Sequence, residues 1–227
     1  MTINSASTQQ GGGILPNGQT WGRGLANANG NKEILLGGGD VYVMNVNDIQ
    51  GDNLPSDEEI ETTANNVGWC ESGFKINYKP KETKVYNQFD QLVKTFITRE
   101  DITAKTGILT WNINNIALMS NATMIPATGE NMTNTVVFTG SGELAMILLR
   151  FVHTKPNGKK IRFTMVGQGG SGFGVEFGDK ATSLNAEITG VQYFNNFLAS
   201  FTEELSQEEF NSLYPSQAPT PTTNTPS

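Results

Sequence analysis

Glu143-Leu144-Ala145-Met146-Ile147-Leu148-Leu149-Arg150-Phe151-Val152 and Lys160-Ile161-Arg162-Phe163-Thr164-Met165-Val166 decide how this chain folds, together with the Lys155-Pro156-Asn157-Gly158 that separates them. In the second run Ile161, Phe163 and Met165 alternate with Lys160, Arg162 and Thr164, the clean period of two that belongs to a strand. The first run keeps that period but is apolar on both faces: Leu144, Met146 and Leu148 fill one, and Ala145, Ile147, Leu149 and Phe151 the other. Such a strand has to be covered from both sides. Asn-Gly between two runs of this kind is the strongest short-range signal for a hairpin.

Working outward, most other apolar runs also have period two. Residues 35–46 contain a strand in which Gly37 to Gly39 lead into Val41 and Val43, set against Tyr42 and Met44. Phe74, Ile76 and Tyr78 alternate with Lys75 and Asn77, and Pro80 then ends that strand or puts it at a sheet edge. Residues 92–99, 105–111 and 135–139 read as further strands. Three short helices are expected. Asn112 caps one whose Ile113, Ile116, Ala117 and Ser120 share a face, so that it plugs one open side of the core. Ser56 with Glu59, and Ser206 with Glu209, have capping-box spacing; Leu205 and Phe210 add a hydrophobic staple to the second, and Pro215 stops it. Phe194, Phe197, Leu198 and Phe201 fall at helical spacing and are expected to pack on the chain's own core.

These elements predict an all-β domain, a sandwich or barrel with one or two short flanking helices, over residues 34–191. Residues 1–33 are rich in Gly, Asn, Gln, Ser and Thr, and such a composition buries too little apolar area to offset the entropy of ordering, so they read as a flexible arm. Residues 192–214 form an aromatic, helical extension, and the Pro/Thr/Ser-rich residues 215–227 a disordered tail. With 227 residues the chain supports a core without disulfides, and the single Cys70 excludes an internal one. No basic, apolar leader stands at Met1 to Gly13 and no apolar run reaches about 18 residues, so the expectation is a soluble protein made in a cytoplasm, with no membrane role. The 15 Lys and Arg against 22 Asp and Glu leave a net charge of −7. That balance argues against a surface built to neutralise phosphates, but suits a channel wall along which DNA slides without sticking.

Few residues offer chemistry. Gly167-Gln168-Gly169-Gly170-Ser171-Gly172 matches the dinucleotide-binding pattern, yet Phe173, Val175 and Phe177 alternate behind it as a strand would, where that motif needs a helix N-terminus. It reads as a loop between strands. Cys70 and His153 are the one conceivable thiol and imidazole pair, and each has an ordinary reading as an apolar filler and a turn-edge histidine. Asp57, Glu58, Glu59 and Glu61 do not fit the calcium-loop spacing and read as a solvated helix face. Asn121 and Asn131 stand in glycosylation sequons that have no meaning without a secretory route. No catalytic residue, cofactor or metal is expected.

Three stretches carry a likeness: Val67-Gly68-Trp69-Cys70-Glu71-Ser72-Gly73-Phe74-Lys75-Ile76-Asn77-Tyr78 with Lys81-Glu82-Thr83-Lys84-Val85-Tyr86; residues 105–111 running into 112–120; and residues 160–166 with the glycine loop and Leu184-Asn185-Ala186-Glu187-Ile188-Thr189-Gly190-Val191. Over residues 34–191 the chain resembles the major tail tube proteins of long-tailed bacteriophages. That resemblance implies a ring-forming β-sandwich or barrel, six copies to a ring, with rings stacked into a hollow virion tube assembled in the bacterial host cytoplasm. Its partners would be itself and other tail proteins (tape measure, tail terminator and tail tip), with DNA passing through the lumen. It further implies that residues 47–66, with Asp48, Asp52, Asp57, Glu58 and Glu59, form a loop that reaches the adjacent ring and orders on stacking. Strands of neighbouring copies would cover the two-faced strand 143–152, and strand alternation over residues 184–191 offers Asn185, Glu187 and Thr189 as the lumen-facing positions. Other readings are a tail terminator or head decoration protein, a carbohydrate-binding β-sandwich presenting Trp21, Trp69 and Trp111, and a Cys70–His153 hydrolase.

Overall fold

The structure is a computed structural model that describes residues 13–14, 20–21 and 38–214, except 50–52, 109, 121, 141, 143, 170–171, 176, 178–183 and 194–195. Its elements are β1 (Gly13–Ile14), β2 (Thr20–Trp21), β3 (Asp40–Asn45), α1 (Asp57–Ile60), β4 (Cys70–Tyr86), β5 (Leu92–Ile108), α2 (Ile113–Leu118), β6 (Thr123–Ile125), β7 (Thr135–Val137), β8 (Met146–Thr154), β9 (Lys160–Gln168), β10 (Phe173–Val175), β11 (Leu184–Gly190), β12 (Ala199–Glu203) and α3 (Gln207–Leu213). The fold is all-β. One antiparallel sheet runs β3-β8-β9-β11-β5-β4, with β10 added to β11 and β12 to β9, while β1–β2 and β6–β7 are separate pairs.

The quoted stretch forms the centre of this sheet. β8 and β9 pair from Met146↔Gln168 to Thr154↔Lys160. At the turn Gly158 holds φ +79° and donates its N–H to Lys155 O, a left-handed conformation that a side chain at this position would strain. β9 then changes neighbours along its length. Residues 161–165 pair with β12, whereas Gly167 and Gln168 pair with Gly190 and Thr189 of β11. A Cβ on Gly167 would lie 2.6 Å from the Thr189 carbonyl oxygen, so only glycine allows the two strands to meet there.

Beyond that junction the two ends of the sheet face one another. Phe74 of β4 stacks on Phe151 of β8 with ring centroids 4.7 Å apart. Between them lies the main core, in which Val41, Ile147, Leu149, Phe163 and Met165 meet Ala104, Ile108, Leu184 and Ile188. α2 borders this core through Met119 and Ile116, and the buried Asn115 donates its side-chain amide to Val67 O, fastening the helix to the segment before β4.

A second apolar cluster covers the opposite face of β8 and β9: Leu148 and Val166 pack with Val46, Leu54, Ile60 and Phe197. Full burial of a side chain of this size contributes about 1.5–3 kcal/mol. The two-faced strand is thus covered on both sides, as its pattern demands, and the cover comes from the chain's own Val46, Leu54, Ile60 and Phe197, in place of the strands expected from neighbouring copies. The helix expected from Phe194, Phe197, Leu198 and Phe201 is also corrected. Residues 199–203 are β12, paired with β9, because the free edge of β9 offers five consecutive ladder positions. Phe197 packs on the core as expected, Phe201 is exposed, and Phe194 lies outside the described residues. The expected boundary at residue 191 therefore cuts through the sheet.

Candidate assembly interface

β4 and β5, 17 residues each, form a hairpin from Cys70↔Ile108 to Tyr86↔Leu92. Its inner part belongs to the sheet, since β5 pairs with β11 over residues 103–108. Its outer part, residues 79–100, is exposed on both faces, Asn87 alone being half-buried. At about 3.3 Å per residue this arm extends roughly 25 Å. Strand-favouring Val85, Tyr86, Val93, Phe96 and Ile97 build it, and all five are exposed, as are Leu92 and, at 73 %, Phe89 at the tip. The tip is fixed by Asn87, whose Oδ1 accepts from the N–H groups of Phe89 and Gln91 at 2.9 and 3.0 Å. Residues 70–108 carry seven of the chain's 15 basic residues and five of its 22 acidic ones. The hairpin is therefore positive by two charges and the remainder negative by nine.

At the hairpin's other end stand Trp69, just before β4, and Trp111, three residues after β5, exposed by 82 % and 57 %. Trp69 N donates to Thr110 Oγ1 at 2.9 Å, which ties the two approaches together. The exposed Phe177 ring lies 5.7 Å from that of Trp111, tilted by 54°. Trp21 side-chain placement lies outside the described residues.

The sheet β4-β5-β11 has one polar face. Glu187 pairs across with Lys105, which pairs with Lys75; Thr189 pairs with Thr103, which pairs with Asn77; Asn185 pairs with Gly107. Glu187 accepts from Lys105 Nζ at 2.6 Å. Asn185, Glu187 and Thr189 therefore share one surface, because the intervening Ala186 and Ile188 point into the core. A shallow cavity of about 430 Å³ opens beside them, where Gly73, Gly107, Gly172 and Gly174 leave room that side chains would fill.

The acids expected to reach a neighbouring ring have different surroundings. Asp57 Oδ1 and Glu61 Oε1 accept from Arg150 Nη1 at 2.8 and 3.1 Å, and the Arg150 side chain is only 1 % exposed. Glu61 also accepts from Arg162 and, at 2.7 Å, from Lys160 Nζ. Glu59 closes a capping box with Ser56, Glu58 is exposed, and the Asp48 side chain and Asp52 lie outside the described residues. Residues 53–66 thus do not stand free awaiting a stacked ring: buried cations on β8 and β9 hold them to their own sheet. The same device fastens the C-terminal end. Arg162 Nη1 donates to Glu204, and the buried Lys155 Nζ donates to Glu203 and Glu209 at 3.0 Å each. Burial raises the Glu61 and Glu204 carboxyls, but hydrogen bonds from Arg162, with Lys160 added, outweigh it and leave both below the usual range. Glu209 is held down to about 2 by the Ser206 N–H and by Lys155. For Lys155 the bonds from Glu209 and Glu203 outweigh burial and raise its pKa.

The remaining candidates are dispersed. Burial pushes the Cys70 thiol up, away from the thiolate that a nucleophile needs, and its sulfur lies 3.8 Å from Gly68 O. His153 Nδ1 is 2.7 Å from Gly38 O and its Nε2 has no hydrogen-bond partner, so the imidazole is not hydrogen-bonded to the thiol. The glycine motif leads from β9 into β10, a strand and not a helix. Sequence reasoning missed the arm and the ionic ties; Arg150, a lone charge inside an apolar run, was the visible sign of the latter. Among the described residues no helix is long and apolar enough to cross a membrane. No family model matches the chain, and no curated protein matches it.

Proposed function

We propose that this chain is a structural, non-enzymatic subunit that assembles with copies of itself into hexameric rings stacked as the tail tube of a long-tailed bacteriophage. The carrying observation is the β4–β5 arm, a stiff hairpin with exposed apolar side chains on a body whose other two-faced strand is sealed. Exposed apolar side chains gathered on a projection of this kind mark an interaction site. The polar face bearing Asn185, Glu187 and Thr189 fits a lumen wall past which DNA moves, with tape measure, terminator and tip proteins as further partners. In this reading the inter-ring role passes from residues 47–66 to the hairpin.

Negative-stain electron microscopy of the purified protein over a concentration series tests it. Stacked rings with a central channel are expected, and a variant with residues 81–97 replaced by a two-residue turn is expected to yield protomers or single rings. Tubes from the shortened variant would remove the arm from the assignment. The exposed Trp69 and Trp111 favour a second reading, a carbohydrate-binding module. That reading requires a tryptophan fluorescence change on sugar titration, which tube subunits lack.

A further inference from the structure

We propose that the tip of the β4–β5 hairpin of one copy docks on the Trp69–Trp111–Phe177 end of the next copy, an inference that rests on the self-assembly reading above and names its contact. The two surfaces are exposed and apolar, and they lie at opposite ends of the same pair of strands. A contact between unlike ends is heterologous, so each docked copy presents a fresh tip and a fresh foot, and addition continues as stacking. An isologous tip-to-tip contact would stop at two copies.

Charge selects a second copy as the occupant. The hairpin is positive by two on a chain whose remainder is negative by nine, so the arm is attracted to the body of any neighbour of its own kind. Area agrees with this choice. Tyr86 and Phe89 on the tip with Trp69, Trp111 and Phe177 on the foot are five aromatic side chains, each able to bury about 150–250 Å². Only the exposed parts, about half to four-fifths of each side chain, are there to be buried, and with the exposed Val85, Leu92 and Val93 of the tip they approach the roughly 1,000 Å² that a specific contact needs. The tip also loses little freedom on docking, because Asn87 already fixes the backbone from Phe89 to Gln91.

Cross-linking tests the contact directly. Two full-length proteins, Gln88→Cys and Asn114→Cys (an exposed residue beside Trp111 that leaves the foot's aromatic side chains in place), both in a Cys70→Ala background, are mixed under mild oxidation. Mixed disulfide dimers should exceed either homodimer several-fold. In a Trp21→Phe background only Trp69 and Trp111 report, and their emission should shift to the blue as tubes form. Phe89→Ser should abolish both the shift and the tubes while leaving the protomer folded by circular dichroism. Tubes that form without the 88–114 cross-link, or equally well with Phe89→Ser, would overturn the docking and leave self-assembly standing. Wild-type protein that stays monomeric at every concentration would overturn both. Emission that is already blue and unchanged by dilution would show the foot covered by its own chain, and would also overturn the docking.

Discussion

β8 and the outer half of the β4–β5 hairpin are both strands with apolar side chains on two faces, yet they meet opposite fates. On β8 the second face is closed by the chain's own Val46, Leu54, Ile60 and Phe197, on segments fastened by Arg150, Arg162 and Lys155 to carboxylates that arrive from both directions of the chain. On the hairpin both faces are left to solvent from residue 79 to 100. The difference teaches that the cover of a strand is specified by more than its hydrophobicity. β8 and its neighbour β9 carry cations where acidic segments can be captured, whereas toward the outer hairpin Arg99 pairs with Asp101 and Glu100 accepts from Tyr78 Oη, both within the hairpin itself.

This contrast breaks most visibly at Arg150. Removing one partner of a buried ion pair leaves uncompensated charge, so Arg150→Ala should cost about 3–5 kcal/mol in urea unfolding. A loss below about 1 kcal/mol would mean that the ionic ties do not hold the cover. Ile60→Ala, which empties a fully buried site beneath α1, should cost about 2–5 kcal/mol and raise hydrogen exchange over residues 53–66 before the rest of the sheet. Unchanged exchange there would detach that segment from the argument. Acid should act on the same ties. Glu61, Glu204 and Glu209 have depressed folded-state pKa values, so their stabilisation is complete above the ordinary value of 4.5 and fades as pH falls toward the folded value, about 2 for Glu209. Exchange at residues 207–214 should therefore rise below pH 4.5 ahead of β8 and β9; simultaneous loss would argue against a separable clasp. Ser206→Ala removes the cap of α3 and should cost about 1 kcal/mol. On the hairpin, Phe89→Ser should change protomer stability by no more than about 0.5 kcal/mol, since the side chain is exposed where it stands. A large thermal shift would show that the arm is part of the protomer's own core.

What the sequence discloses follows the same division. β8, β9 and their turn are legible because two runs of period two flank an Asn-Gly, although the polar Arg162 and Thr164 of β9 are buried as well, and the three caps are legible because Asn112, Ser56 and Ser206 act within three residues. The hairpin is not, because its outer half has no buried face to impose a period; residues 92–99 and 105–111 read as two strands where one continuous strand runs. β12 is hidden for another reason. Phe197, Leu198 and Phe201 match a helix by spacing, and the free edge of β9 that claims residues 199–203 is a tertiary fact. The ionic ties are illegible because Arg150 finds Asp57 and Glu61 at separations of 93 and 89 residues. Among the site residues, alternation placed Asn185, Glu187 and Thr189 on one face correctly, whereas nothing local to Asp57 reveals its cation.

Pro80 lies within β4, opposite Glu100, and β4 is the last strand in the sheet order. A strand that tried to extend the sheet from this side would meet a missing donor at Pro80 and a file of positive charge at Lys79, Lys81 and Lys84. Fibrous, amyloid-like growth from the β4 edge of the arm is thereby discouraged, which protects a bare hairpin rich in aromatic and branched residues on the side where β4 has no partner strand.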